Sequence, residues 1–186
     1  LTPEGKQAFS AEARDQFGNA LPGMTFSFRA DDKAGQVDAS GAFTAGKKTG
    51  SYDSAITVEV TQDGTAKSTT AKVTVAPGPL HHVLVSPAKV DLNIDKSQDF
   101  TATPVDDYDN PVSGAQLAWN FDNGVGTMVA GKLTTGTLAK TFDKGVTATA
   151  TLGSLSGTGY ASVTVKPDPL DSVAVATVEV QVGKAQ

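Results

Sequence analysis

Apolar and polar residues alternate along most of this chain. Phe9, Ala11 and Ala13 do so, as do Met24, Phe26 and Phe28; Ile56, Val58 and Val60; and Ala71, Val73 and Val75. The pattern resumes with Phe100 and Ala102; Leu117, Trp119 and Phe121; Val146, Ala148 and Ala150; and Ala161, Val163 and Val165. A period of two, bounded by Gly, Asn, Asp or Pro, predicts antiparallel strands with one face buried. No 3.6-residue stripe runs beyond two turns. Many short strands with turn signals between them predict an all-β chain built as a β-sandwich. Pro104 cannot donate to a ladder, so its strand is expected to end or bulge there.

The pattern also repeats on a longer scale. Gln7, Phe9 and Ala11 return as Gln98, Phe100 and Ala102, and Asp15, Asn19 and Gly23 return as Asp106, Asn110 and Gly114, each a step of 91 residues. Tyr52 then returns as Phe142, and Val73 and Val75 as Val163 and Val165, a step of 90. A period this long is one small domain rather than one solenoid turn. The expected organisation is residues 1–77, a module lacking its first strand; residues 78–167, a complete module; and residues 168–186, the opening of a further module or a donor strand for a neighbouring chain. The last segment repeats residues 80–98 with a two-residue deletion, so that Val173 and Val175 match Val83 and Val85.

Two linkers separate these units, Pro77-Gly78-Pro79 and Pro167-Asp168-Pro169. Paired prolines restrict φ on both sides, so Pro77, Pro79, Pro167 and Pro169 are expected to make short, stiff joints. Val173, Val175, Val178, Val180 and Val182 form a β-branched, weakly charged segment expected to share a strand, either within a longer polypeptide or with another chain. The chain starts at Leu1 rather than Met, and is expected to be an internal piece of something longer.

Composition narrows the function classes. Net charge is −5 with a pI near 4.9, and no basic run offers a nucleic-acid surface. Cysteine is absent, which removes disulfides, thiolate metal sites and cysteine nucleophiles together. It also leans towards a prokaryotic surface protein or a cytosolic one. No apolar stretch is long enough to span a bilayer.

Candidate chemistry is sparse. His81 and His82 are adjacent beside a linker, and neighbouring strand residues face opposite ways, so they are not expected to share a metal or a proton path. No G-x-S-x-G elbow, His-Glu-x-x-His or P-loop occurs, and no catalytic residue is assigned. Asp106, Asp107 and Asp109 crowd three carboxylates into one loop with Asn110. They are a candidate calcium site, since calcium takes six to eight hard oxygens. The competing expectation is that Asp and Asn side chains cap the turn's N–H groups. Asp31-Asp32 and Asp122-Asn123 pose the same choice more weakly. Trp119 falls where the first copy has Phe28, so it is expected in the core rather than on a sugar-stacking platform.

The stretch Ala11-Glu-Ala-Arg-Asp15-Gln-Phe-Gly18-Asn19-Ala-Leu-Pro22-Gly23, followed by Thr25-Phe-Ser-Phe28, resembles the bacterial immunoglobulin-like repeats of invasin- and intimin-type surface proteins. Val37-Asp38-Ala-Ser-Gly41-Ala-Phe-Thr44 resembles a further motif of that group. The second copy keeps Asp106, Asn110, Gly114 and Trp119 but loses the glycine before Asn110 and the serine before Gly131. The resemblance implies tandem immunoglobulin-like antiparallel β-sandwiches in an extended array, at the cell surface or outside the cell. It brings no catalytic motif. The expected function is a non-enzymatic stalk, spacer or filament subunit joined head to tail. The alternative is an adhesin module that recognises glycan or protein through its loops, with calcium assistance. Expected partners are neighbouring immunoglobulin-like modules in the same or adjacent chains, and a glycan or surface protein, but neither nucleic acid nor membrane. No cofactor other than calcium is expected.

Overall fold

A computed structural model describes residues 1–173; of the strand-sharing valines only Val173 falls within them, and Val175, Val178, Val180 and Val182 lie outside the described residues. The chain is all-β. Residues 1–77 hold β1 (Lys6–Ala8), β2 (Phe26–Ala30), β3 (Gly35–Val37), β4 (Ala42–Ala45), β5 (Gly50–Gln62) and β6 (Thr65–Val75). Residues 78–167 hold β7 (His82–Ser86), β8 (Lys89–Asn93), β9 (Ser97–Asp99), β10 (Thr101–Val105), β11 (Gln116–Phe121), β12 (Gly126–Val129), β13 (Lys132–Thr135), β14 (Thr141–Leu152) and β15 (Leu155–Lys166).

In the first stretch a sheet ordered β1-β4-β3 faces a sheet ordered β2-β5-β6. In the second, β9-β13-β12 and the pair β10-β7 face β11-β14-β15-β8. Pairings are antiparallel except β8 with β15. The arrangement is an immunoglobulin-like sandwich in which the first strand leaves one sheet at Ser86 and continues in the other.

Each stretch has its own core, made by the inward half of the alternating positions. One cluster joins Phe43, Ala45, Ile56, Val58, Val73 and Val75, with Phe9 and Phe28 packed against it. The other joins Val83, Val85, Phe100, Leu133, Phe142, Val146, Val163 and Val165, with Trp119 packed against it. The long strand of each unit carries a bulge at the same place, between Tyr52 and Ile56 in β5 and between Phe142 and Val146 in β14. Two extra residues bulge out of each long strand there, and in β5 Ala55 and Ile56 both end up inside. Trp119 and Phe28 each lie over a glycine, Gly131 and Gly41. Both glycines have φ near +85° (+86° and +83°), in the left-handed region.

Two expectations fail. Pro104 does not end its strand: β10 runs through it, with Pro104 opposite Val83. Among the described residues β10 has only β7 as a strand partner, so the missing N–H interrupts no second ladder there. The alternation at Phe9, Ala11 and Ala13 does not form a strand either, because β1 stops at Ala8. The physical difference is the partner. Residues 101–105 pair with β7, whereas among the described residues no strand pairs with the matching residues 10–14, which make the isolated bridge of Arg14 with Ala20. Leu1 takes the place that Leu92 holds beside Val165: its amine donates to the Thr74 carbonyl at 2.9 Å and its carbonyl accepts from Ala76 at 2.7 Å.

Candidate functional site, the joint between the two sandwich units

The most heavily built polar site among the described residues lies where the first unit meets the second. Asp106 ends β10 and begins the loop to β11. It is 1% exposed, and Asn110 four residues on is 2% exposed. One Asp106 oxygen accepts the N–H groups of Tyr108 and Asn110, each at 2.9 Å. The other accepts the Gly78 N–H from the linker at 2.8 Å. The Asn110 amide nitrogen bridges both oxygens at 3.1 and 3.0 Å. Burial pushes the Asp106 carboxyl up, but the bonds from the Asn110 side chain, Gly78, and the Asn110 and Tyr108 backbone outweigh it and hold the pKa at about 2.

Asn110 then reaches across to the first unit. Its side-chain nitrogen donates to the Lys47 carbonyl at 2.8 Å, and its oxygen accepts the Thr49 N–H at 3.2 Å. Both ends of one amide are thereby spent on the backbone of another sandwich. The rim adds three contacts. The Tyr108 hydroxyl donates to Glu4 at 2.6 Å, Lys48 donates to the Tyr108 carbonyl at 3.3 Å, and the Lys47 ammonium sits 5.2 Å over the Tyr108 ring. The Glu4 hydrogen bond, with burial and the Glu4 charge, pushes the Tyr108 phenol up to about 12.

The first unit carries the same turn. Asp15 accepts the N–H groups of Phe17 and Asn19 at 2.9 Å, and the Asn19 amide at 2.9 Å. The repeated Asp and Asn are thus a turn cap in both copies. The second copy keeps the turn without its glycine because Asp109 itself takes φ +61°, where Gly18 has +87°.

The acidic loop serves that cap. Both Asp106 oxygens face N–H donors, while Asp107 and Asp109 turn to His81 at 3.6 Å and His82 at 3.0 Å. Among the described residues no group of three His, Asp or Glu is gathered to hold a metal. Asp31 and Asp122 cap the N–H groups of Lys33 and Gly124 in the same manner. The two histidines do not face apart: their Nδ1 atoms lie 3.1 Å apart with the rings edge to face. His81 precedes β7, so strand alternation does not govern it. Pro77 and Pro79 flank the Gly78 N–H that Asp106 accepts, and both are exposed. Pro167, Pro169 and Val173 lie exposed beyond β15.

Among the described residues no helix is long and apolar enough to cross a membrane. No protein-family model and no curated protein matches the chain. Solved structures do. The chain is similar to InvD of Yersinia pseudotuberculosis, at 23% identity and a TM-score of 0.37 over 94% of this chain and 57% of that one. It is similar to the Escherichia coli adhesin FdeC, at 18% identity and 0.42 over 89% of this chain and 60% of that one. It is similar to domains 1–6 of the surface layer protein SbsC, at 20% identity and 0.31 over 87% of this chain. There it spans only 23% of the other chain's length.

Proposed function

We propose that this chain is a non-enzymatic structural module of a prokaryotic cell-surface or extracellular array, with modules 1–77 and 78–167 followed by the opening of another from residue 168. The observation that carries this is the buried Asp106–Asn110 pair. It fastens the linker through Gly78 and the preceding sandwich through Lys47 and Thr49. A site that spends every polar atom on its own chain has the chemistry of a joint, not of a reaction centre. The prolines at 77 and 79 limit the linker, and the hydrogen bonds fix what freedom remains. The net charge of −5 keeps neighbouring rods apart.

The test is to find the native protein and ask what it does there. Immunogold labelling should place it on or outside the cell, and electron microscopy should show modules in linear series. Label confined to the cell interior would contradict the reading. The joint is proposed to work without calcium, because a cation at Asp106 would have to displace the N–H donors of Gly78, Tyr108 and Asn110. Calorimetric titration with calcium should give no binding heat and no rise in melting temperature; a saturable heat would favour the calcium-assisted adhesin instead.

A further inference from the structure

The chain's two histidines meet two acids at the edge of the joint loop, and the side chains of those acids take no part in the turn cap. The backbone fixes where each of the four starts. The His81 N–H donates to the Val105 carbonyl at 2.9 Å, and His82 opens β7 opposite Val105. Gly157 on β15 gives His82 its clearance, since a Cβ there would come within 2.8 Å of the His82 Cα. The loop that follows Val105 is held by Asp106, whose carboxylate accepts the Tyr108 N–H at 2.9 Å and whose carbonyl accepts the Asp109 N–H at 3.2 Å. Asp107 and Asp109 therefore stand beside the histidines on a fixed turn.

The surroundings also fix which ring nitrogens carry protons. An Asp109 oxygen lies 3.0 Å from His82 Nε2. A lone pair there would face a carboxylate, so the proton of the neutral ring sits on Nε2 and the lone pair is left on Nδ1. His81 Nδ1, 3.1 Å away, donates to that lone pair. An Asp107 oxygen lies 3.6 Å from the same His81 nitrogen. A tetrahedral ion held by imidazole and carboxylate sets its ligand atoms about 3.3–3.4 Å apart. The two spacings in the chain straddle that distance. A carboxylate against the far N–H of a ligating ring is also what orients metal-bound histidines, and Asp109 stands in that place.

We propose that His81 Nδ1, His82 Nδ1 and Asp107 take a divalent ion of the zinc, copper and nickel class, with water completing the shell and Asp109 positioning the His82 ring. The ion replaces the hydrogen bond between the rings. No proton need leave the chain, because the neutral His81 ring passes its proton from Nδ1 to Nε2 through solvent and both Nδ1 lone pairs then face the ion. Asp107, with its side chain 69% exposed, turns to close the third edge, so the ion gathers what the free chain leaves apart. Nitrogen ligands select the ion. Calcium and magnesium take oxygens, whereas two imidazoles with a carboxylate suit zinc, copper or nickel. Two acids beside two neutral rings supply the opposing charge.

The site belongs to this joint and not to the repeat. The first unit has Gln16 and Gly18 where the second has Asp107 and Asp109. Bound here, the ion ties the start of β7, just past the linker, to the loop that grips the first unit.

Calorimetric titration of the full chain with zinc should give a saturable heat at one ion per chain, with the mass in sedimentation unchanged at 19.0 kDa. Calcium and magnesium should give none. His81→Ala and His82→Ala should each weaken zinc at least about tenfold. Asp107→Gln and Asp109→Gly place the first unit's residues on the same turn, and each should weaken zinc about tenfold as well. Metal-free melting of all four variants should stay close to the parent's, since none of these side chains belongs to a core. Copper separates the roles. Its electron paramagnetic resonance spectrum should show two coupled imidazole nitrogens in the parent and in Asp109→Gly, and one in either histidine variant. No zinc heat, an affinity that survives either histidine variant, half an ion per chain with a doubled mass, or a calcium heat that Asp107→Gln removes would each overturn the proposal.

Discussion

Asp106 shows how one carboxylate can hold two units in register. Asp106→Ala leaves the buried N–H of Asn110 and the part-buried N–H groups of Gly78 and Tyr108 without acceptors, and should cost about 3 kcal/mol by calorimetry. Asp15→Ala, in the same turn but without a linker donor, should cost clearly less. The Asp106 pKa is depressed in the folded state, so its stabilisation is fully present above about pH 4 and is lost as pH falls towards 2. Thermal melts of the parent and Asp106→Asn should therefore converge at low pH and diverge near neutrality. Much of this was legible: the Asp-to-Asn spacing in both copies announces a turn cap, and Trp119 sits in the core where its apolar phase puts it. What Asn110 does beyond the turn was not, because its partners at Lys47 and Thr49 are more than sixty residues away and belong to no local pattern.

At the scale of elements, pairing decides what the alternating pattern becomes. Residues 9–13 and 100–104 carry much the same alternation, yet only the second set forms a strand, because only it has β7 alongside. Period two reports which face is apolar; it does not report whether a neighbour exists to take the hydrogen bonds. The same logic makes Gly157 and Gly159 legible only after the fact. In sequence they read as weak points of a strand, and in the fold they are the clearance β7 needs. Gly159→Ala should push β7 off the second unit and lower its stability by about 1–3 kcal/mol, seen as faster amide exchange in residues 82–86 and 101–105. The counterpart Thr69→Val, at an exposed strand position of the first unit, should leave exchange in β5 and β6 nearly unchanged.

For the whole molecule, the repeat in sequence becomes two cores with a polar joint between them. The 91- and 90-residue steps imply two units, and the Pro-x-Pro linkers imply a border between them. Neither shows that the border is fastened, since a stiff linker and a bonded interface leave different traces and only the first is written locally. Fastening is the central claim, and the absence of cysteine makes it open to a direct measurement. Spin labels on one engineered cysteine in each unit, read by pulsed electron paramagnetic resonance, report the distance between them. The parent chain should give one narrow distribution, and Asn110→Ala, which removes the amide bonded to Lys47 and Thr49, should give a broad one. A broad distribution in the parent, or one that Asn110→Ala leaves unaltered, would contradict the account.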